Sequence, residues 1–467
     1  MAKPFLFALR SNEKFIIFTC SIAVFTDLAL YGILVPVLPF ALETRYSIAA
    51  DSVQLKVSGS LAAYAAGLLA FCGPVGWLSD KTSSRRPLFL LGLIALVAAT
   101  LMLMLSRSFA LLIAARILQG ASAAVVWVVC LALLVDTVGH ERIGQTMGIV
   151  SISLALALGI SPLIGGALYE AAGYYSVYYF SFGLLALDIF LRLVMIEKPR
   201  INTTLQEPTE GQIIQPVARR KSRVPTLLKL LKYPRLLVGC WIGLVAAIIF
   251  TAFDTVLPLE LLDLFGFDAL QSGAMFCCLV LPTVIAAPIA GWWIDKRGPK
   301  IITLIGILLE IVFLVLLRLP NKTSPRTGQL VLFVVILCLN GLACNLFIPS
   351  SLVEIALVVE EEERRNPGQF GKGGAYAQAY ALYNISFSLG TLIGPLAAAA
   401  LRERYGFGTM CWVLSLFCVV SLPVTFLYCG GDWRTRMWSA TRVAMEVPPE
   451  TASSLATQVD VQLESKR

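Results

Sequence analysis

The chain has 467 residues, of which 58% are hydrophobic and 14% are charged, and its mean hydropathy is +0.80. This composition excludes an ordinary soluble domain of this size, because lipid must be the solvent for most of the chain. The formal net charge is +8, but the basic residues are spread over several loops and not gathered on one face, which argues against nucleic-acid binding.

Twelve apolar stretches follow one another along the chain, and each is long enough to cross a bilayer as a helix. A hydrocarbon core of roughly 30 Å needs about 20 residues of helix. The stretches therefore predict an all-α polytopic membrane protein. The predicted spans cover residues 15–40, 55–78, 88–105, 110–135, 147–169, 175–196, 236–262, 269–294, 301–319, 330–359, 375–401 and 408–429.

Lysine and arginine are concentrated in the loops on one side of these spans, which predicts that this side and both termini are cytoplasmic. A long polar interruption, rich in basic residues, proline and glutamine, separates six spans from six and is typical of a linker between domains. The predicted segments are a cytoplasmic N-terminus (1–14), an N-terminal six-helix bundle (15–196), a cytoplasmic linker (197–234), a C-terminal six-helix bundle (235–429) and a disordered cytoplasmic tail (430–467).

The two predicted halves repeat each other at equivalent places. Gly76 and Asp80 follow the second span in the same pattern in which Gly291 and Asp295 follow the eighth. Glycine and proline also recur in the fifth and eleventh spans, where glycine permits close helix packing and proline kinks the helix. These packing residues are Pro162, Gly165, Gly166, Gly390, Gly394 and Pro395. Duplicated halves are typical of transporters whose substrate site lies between the repeats near the membrane midplane.

Five motifs stand in register along the chain. They are Asp27-x8-Pro36-x2-Pro39 in the first span, the loop from Gly76 to Arg86, Arg116-x2-Gln119-Gly120 in the fourth span, Asp136-x4-Glu141-Arg142 after it, and Phe253-Asp254-x3-Pro258 in the seventh. With these motifs the chain resembles the major facilitator superfamily, specifically the twelve-span drug:proton antiporters common in fungi, which are related to vesicular amine transporters. The resemblance implies two pseudo-symmetric six-helix bundles, a small organic substrate and protons as the coupling ion.

An acid stands in the middle of the first span. An ionised carboxylate there costs about 2.5–3.5 kcal/mol on insertion scales, so Asp27 must face a polar cavity or hold a proton, as a proton-coupling site requires. We expect Arg116 to be its partner, and the resemblance assigns Arg116 to proton coupling or substrate binding. Gln119 shares the helix face of Arg116. The alternative is that Asp27 and Arg116 form a structural buried pair.

Other charged residues fall within the later spans. Asp254 and Glu354 match acids of the vesicular amine transporters, and we expect both in the substrate cavity. Asp188 and Arg192 are four residues apart in the sixth span, a spacing that favours a structural ion pair.

The eleventh span carries an aromatic stripe that includes Tyr380, beside Asn384. Such a face predicts the lining of a cavity for planar ligands, with helix packing as the alternative. Two positions depart from the amine transporters, because Tyr64 stands where they have a lysine and Asn384 where they have an acid.

The resemblance assigns the loop after the second span to a gate on the cytoplasmic side. We expect Asp80, with Asp136 and Arg142, to latch the two halves together in the outward-facing state. Glycine permits close helix approach at this place. The predicted gate residues are Gly76, Asp80, Arg85, Arg86, Asp136, Arg142, Gly291, Asp295 and Arg297.

The leading interpretation is proton-driven efflux of a small organic compound, a secondary metabolite or drug, across the plasma membrane. Vesicular or vacuolar uptake of an amine-like or other solute by the same antiport is the alternative, and a non-transporting sensor is a third.

An enzyme is not expected, because the sequence has no nucleophile–base arrangement, phosphate loop or metal-ligand cluster, so no cofactor and no metal are predicted. We expect a monomer in the lipid bilayer, with a glycan at Asn321.

Overall fold

The computed structural model describes residues 10–46, 48–82, 84–138, 142–197, 226–267, 269–320, 326–366, 369–370 and 375–430. Within these residues, twelve helices are long and apolar enough to cross a membrane. They are α1 (Glu13–Thr44), α2 (Ala50–Lys81), α3 (Arg86–Leu105), α4 (Phe109–Val138), α5 (Ile143–Ala172), α6 (Tyr174–Val194), α7 (Pro234–Phe265), α8 (Ala269–Arg297), α9 (Pro299–Leu316), α10 (Arg326–Arg365), α11 (Tyr376–Tyr405) and α12 (Phe407–Tyr428). A one-turn helix, Thr226–Leu230, precedes α7.

Each predicted span overlaps one of these helices, and the largest difference is at the end of α10. The sequence predicts a loop from residue 360, but the helix continues to Arg365. Glu360 pairs with Arg364, and Glu361 pairs with Arg365, each at 2.6 Å. Acid–base pairs four residues apart stabilise a helix, so the charged run extends α10 beyond the apolar span.

Glycine allows helices of the same half to touch through their backbones. A Cβ atom at Gly165 of α5 would overlap the carbonyl oxygen of Ile33 in α1, and one at Gly394 of α11 would lie 2.7 Å from the carbonyl oxygen of Ile248 in α7. Gly166 differs, because a Cβ built there would meet nothing within 4 Å. The close packing of α5 on α1 therefore depends on Gly165 and not on its neighbour.

The two halves meet where α2 packs against α11 and α5 packs against α8. We name the two ends of the bundle by the predicted orientation. At the cytoplasmic end, a Cβ at Gly76 would lie 2.9 Å from the carbonyl oxygen of Ala377, and one at Gly291 would lie 2.5 Å from that of Gly144. A Cβ at Gly59, near the other end of α2, would meet nothing within 4 Å. The contacts between the halves are thus tight at the cytoplasmic end.

Candidate functional site

Helix α1 places Asp27 in the interior of the N-terminal half. The residue is 0% exposed, and its carboxylate oxygens make no close, well-aligned hydrogen bond among the described residues, with the Trp127 side chain as the neighbouring weak donor. Trp127 of α4 lies beside the carboxylate. The charged residues near enough to affect how firmly Asp27 holds a proton are Arg192 and Asp188 of α6. Asp27 therefore faces α6, and the structure does not join it to the predicted partner Arg116.

Arg116 of α4 is also 0% exposed, and its hydrogen-bond partners are neutral. Its Nε donates to the Ser60 hydroxyl at 3.2 Å, and its Nη1 donates to Gln119 Oε1 at 2.9 Å. The Nη2 group has no partner among the described residues. Gln119 occupies the position that its three-residue spacing predicts. A buried guanidinium that no carboxylate among the described residues contacts directly is costly, which makes Arg116 a functional candidate.

Tyr31 connects this arginine to the C-terminal half. The Arg116 guanidinium lies 5.7 Å from the centre of the Tyr31 ring, and the Tyr31 and Tyr64 ring centres are 4.8 Å apart. The charges of both Arg116 and Asp254 act on the Tyr31 hydroxyl. Asp254 is exposed although it lies within α7. The structure therefore places Arg116 beside Tyr31 and Tyr64, with Asp254 of the C-terminal half near enough for its charge to reach Tyr31.

Sequence reasoning did not select Tyr31 as a site residue. The signal was its position four residues after Asp27, which puts both side chains on neighbouring parts of one helix face. Tyr64 was noted as a departure from the amine transporters and proves to be in contact with Tyr31.

Tyr380 and Asn384 donate hydrogen bonds to backbone carbonyl oxygens within the C-terminal half. The Tyr380 hydroxyl donates to the Leu352 carbonyl oxygen at 3.2 Å, and Asn384 Nδ2 donates to the Tyr380 carbonyl oxygen at 2.8 Å. Tyr380 is 0% exposed. These contacts favour the packing alternative for the aromatic stripe.

Glu354 lies apart from Asp254, near the cytoplasmic end of α10. Its Oε1 accepts from Arg235 Nε at 2.9 Å and from the Gly430 backbone N–H at 3.0 Å. The carboxylate thus ties the start of α7 to Gly430, two residues beyond the end of α12. These contacts argue against the expectation that Glu354 belongs to the substrate cavity, because the residue stands five residues before the end of the predicted apolar span and finds its cation there.

At the cytoplasmic end, Asp80 of α2 binds the first turn of α11 in the opposite half. Its oxygens accept backbone N–H bonds from Ala377 at 3.1 Å and Gln378 at 3.0 Å, and a bond from Gln378 Nε2 at 3.2 Å. The N-terminus of a helix attracts an anion because its first N–H groups are unpaired and its dipole is positive there. Asp80 therefore holds the two halves together through charge-assisted hydrogen bonds.

Asp295 of α8 makes the equivalent contact in the opposite direction. Its oxygens accept the backbone N–H groups of Gly144 at 2.6 Å and Gln145 at 3.0 Å, in the first turn of α5. Each aspartate of the repeated motif thus caps a helix of the other half. We call Asp80, Asp295 and the two helix starts that they bind the cytoplasmic latch.

Arg85 supports Asp80 from within the N-terminal half. Its guanidinium is 0% exposed and lies 2.7 Å from Asp136 and 3.4 Å from Asp80. Burial alone would lower the pKa of Arg85, but the Asp136 and Asp80 carboxylates raise that pKa above its usual value, so the cation is kept. Glu197, which sequence reasoning missed, accepts the backbone N–H groups of Arg85 and Arg86.

The other predicted gate residues lie around this latch. Arg142 pairs with Glu13, in the first turn of α1, at 2.8 Å, and not with Asp80 or Asp136 as expected. Arg86 donates to the Leu193 carbonyl oxygen at 2.6 Å, and Arg297 lies 5.4 Å from the centre of the Trp293 ring. Asn321 lies outside the described residues.

The model of the Major Facilitator Superfamily matches residues 20–281 and 240–454 of this chain. The chain belongs to the major facilitator superfamily. An MFS-type transporter of Schizosaccharomyces pombe is 39% identical over 88% of the chain and 94% of its own length. The MFS-type transporter ppzB of Metarhizium rileyi is 32% identical over 90% of the chain and 96% of its own length.

More distant members of the superfamily are also similar. The human synaptic vesicular amine transporter is 23% identical over 75% of the chain and 62% of its own length. The crystal structure of the human organic anion transporter MFSD10 superposes with a TM-score of 0.64 at 19% identity, over 89% of this chain and 99% of that one. The chain therefore has the major facilitator fold, as the sequence predicts, and it is a multi-pass membrane transporter and not an enzyme.

Proposed function

We propose that the chain is a proton-coupled exporter of a small organic compound that works by alternating access. The observation that carries this proposal is Asp27, a 0%-exposed carboxyl in a membrane-spanning helix that makes no ion pair among the described residues and has only the neutral Trp127 side chain as a weak donor. An ionised carboxylate in that position is expensive, so a residue of this kind is a functional candidate by default. A group that gains and loses a proton as its surroundings change supplies the coupling step.

The inward movement of protons supplies enough energy for export. One elementary charge that crosses the membrane contributes about 2.3 kcal/mol per 100 mV, before any pH gradient is counted. This free energy is equivalent to a concentration ratio of roughly 50 for a neutral solute.

The substrate site in this proposal is the space between the halves beside Tyr31. Tyr31 and Tyr64 offer aromatic faces, and Arg116 and Asp254 offer charges of opposite sign. Binding sites for organic ligands are mostly apolar with a few placed polar groups, which agrees with this arrangement.

The cytoplasmic latch supplies the two-state element that alternating access requires. With Asp80 and Asp295 bound to helices of the opposite half, the cytoplasmic end is closed and the transporter faces outward. An inward-facing state must break both contacts. A pair of contacts that breaks and reforms gives two discrete states and not a continuous range.

The second candidate is uptake into a vesicle or vacuole by the same antiport. It is favoured by the similarity to proteins named synaptic vesicular amine transporters, and by Asp254, an exposed acid able to pair with a protonated amine. The two candidates share one mechanism and differ in the membrane. We favour the plasma membrane, and a monomer with a glycan at Asn321 remains our prediction.

The test uses the purified protein in liposomes that enclose the pH indicator pyranine. A panel of neutral lipophilic dyes, amines and carboxylates is added, and a compound that is transported changes the internal pH in exchange for protons. We expect at least one of these classes of compound to change the internal pH of liposomes that contain the parent protein, and none to do so with Asp27→Asn. Glu310→Gln is the matched control, because Glu310 is an equally buried membrane acid in the other half, bonded to Asn340. Equal proton movement in Asp27→Asn and the parent would overturn the proposal.

A further inference from the structure

A second charged pair lies inside the N-terminal half, within α6. Arg192 and Asp188 are both 0% exposed, and the guanidinium binds both carboxylate oxygens, at 2.8 and 2.6 Å. Arg192 also donates to the Phe89 carbonyl oxygen at 2.9 Å and lies 3.9 Å from the centre of the Phe89 ring. The pair is therefore held firmly against α3, in a place where each charge would be very costly alone.

The packing of α1 on α6 brings Asp27 towards this pair. Leu30 of α1 and Leu185 of α6 belong to one buried cluster. Asp27 lies three residues before Leu30, and Asp188 lies three residues after Leu185. Because α1 and α6 run in opposite directions, both acids lie on the cytoplasmic side of this leucine cluster, which Leu93 and Leu96 of α3 complete. Arg192 and Asp188 accordingly are the charged residues that act on Asp27.

The other helices around Asp27 contribute no further charge to it. From α2, Tyr64 faces it, and from α4, Trp127 does. Residues 143–168 of α5 include no Asp, Glu, Lys, Arg or His. The Asp188–Arg192 pair is thus the electrostatic neighbour of Asp27 in the described interior of the N-terminal half.

We propose that the Asp188–Arg192 pair sets the pH at which Asp27 gains and loses its proton, and so acts as a positioning pair for proton coupling. The inference rests on the proposed function, because it presupposes that Asp27 exchanges a proton. Arg192 favours the ionised form of Asp27, and Asp188 both opposes that form and holds the guanidinium. A pair that served only to pack α6 against α3 would leave the proton equilibrium of Asp27 unchanged.

The two charges predict variants with opposite effects. In Asp188→Asn, Arg192 keeps its charge and Asp27 becomes its remaining acidic neighbour, so Asp27 should lose its proton at a lower pH. In Asp188→Asn combined with Arg192→Gln, the attraction between Arg192 and ionised Asp27 is also lost. The titration midpoint of Asp27, the pH at which it is half protonated, should then return to the parent value or rise above it. A neighbouring charge in a buried site typically shifts a titration by about one to three pH units.

The experiment follows the carboxylic-acid C=O stretching band by infrared spectroscopy of the purified full chain in detergent, titrated without any substrate. Each protein is compared with its own Asp27→Asn derivative, and the difference spectrum isolates the Asp27 band. We expect the titration midpoint of Asp27 to fall by about one unit or more in Asp188→Asn, and to equal the parent value or lie above it in the double variant. Glu310→Gln, an equally buried acid that does not act on Asp27, should leave the midpoint unchanged.

The outcomes separate this inference from the proposed function. If Asp27→Asn removes no titrating band from the parent, Asp27 does not exchange a proton and the proposed function fails with the inference. If the band is present but Asp188→Asn leaves its midpoint in place, the inference alone fails. A shift of the same sign in the single and the double variant also overturns it, because that result indicates disturbed packing and not charge.

Discussion

Asp80 and Gln378 come from opposite halves of the chain and are joined by two hydrogen bonds, at 3.0 Å to the backbone N–H and 3.2 Å to the side-chain amide. The contact is buried, with Asp80 6% and Gln378 5% exposed. Hydrogen bonds to a buried charged group contribute about 1.5–3 kcal/mol each, so this contact alone can shift a two-state equilibrium by tenfold or more.

The first prediction follows from that contact. Asp80→Asn keeps the shape of the side chain but loses its charge, so the start of α11 should open more often towards the cytoplasm. Deuterium uptake measured by mass spectrometry should rise in residues 375–382 of α11. Asp295→Asn should give the same effect at residues 143–146 of α5, which Asp295 binds. Unchanged uptake in both variants would show that the aspartates do not hold the halves together.

The second prediction uses two glycines on one helix. A Cβ at Gly76 would lie 2.8 Å from the Ala381 Cβ, whereas one at Gly73 would meet nothing within 4 Å. Gly76→Ala should therefore separate α2 from α11, raise deuterium uptake at the start of α11 and slow transport. Gly73→Ala is the matched control and should behave like the parent. Similar behaviour of the two variants would contradict the close approach of the helices.

The third prediction concerns stability within the N-terminal half. Gly165→Ala would force a Cβ into the backbone of Ile33, and overpacking of this kind costs about 1–3 kcal/mol. Gly166→Ala faces open space and should cost much less. The fraction of protein that stays monodisperse after heating, measured by size-exclusion chromatography, should fall at a lower temperature in Gly165→Ala. A loss of equal size in both variants would contradict the close packing of Gly165 on α1, because Gly→Ala raises helix propensity and cannot itself cause a loss.

The fourth prediction compares two adjacent arginines. Arg85 is 0% exposed between Asp80 and Asp136, and Arg85→Gln removes the buried cation that contacts both carboxylates. Breaking a buried pair in this way costs about 3–5 kcal/mol, so yield and thermal stability should drop sharply. Arg86→Gln removes one exposed bond to the Leu193 carbonyl and should cost about 1 kcal/mol or less. An Arg85→Gln protein as stable as Arg86→Gln would contradict the described charge network.

The helices and their order could be predicted because span length and apolar composition depend only on local sequence. The latch could be predicted in part. Asp80 and Asp295 stand out as repeated acids, but their partners are backbone N–H groups of α11 and α5. Every residue except proline carries such a group, so no residue type marks the partner.

The partners of the buried charges could not be predicted from spacing. Asp27 and Arg116 both lie within spans, but whether they meet depends on how α1 and α4 are rotated about their axes. In the structure, α1 turns Asp27 towards α6, and α4 turns Arg116 towards Ser60 and Tyr31. Rotation of this kind is set by packing such as the buried cluster that contains Leu30 and Leu185, which are far apart in the chain. The Asp188–Arg192 pair was predictable because both residues belong to one helix.

The central claim is that Asp27 couples proton movement to transport, and one comparison in liposomes tests it most directly. A compound found in the pyranine screen is followed in two assays, accumulation driven by an imposed pH gradient and exchange of labelled for unlabelled compound without a gradient. We expect Asp27→Asn to retain exchange, because the halves can still rock around a bound substrate, and to lose gradient-driven accumulation. Accumulation at the parent rate in Asp27→Asn would contradict the account.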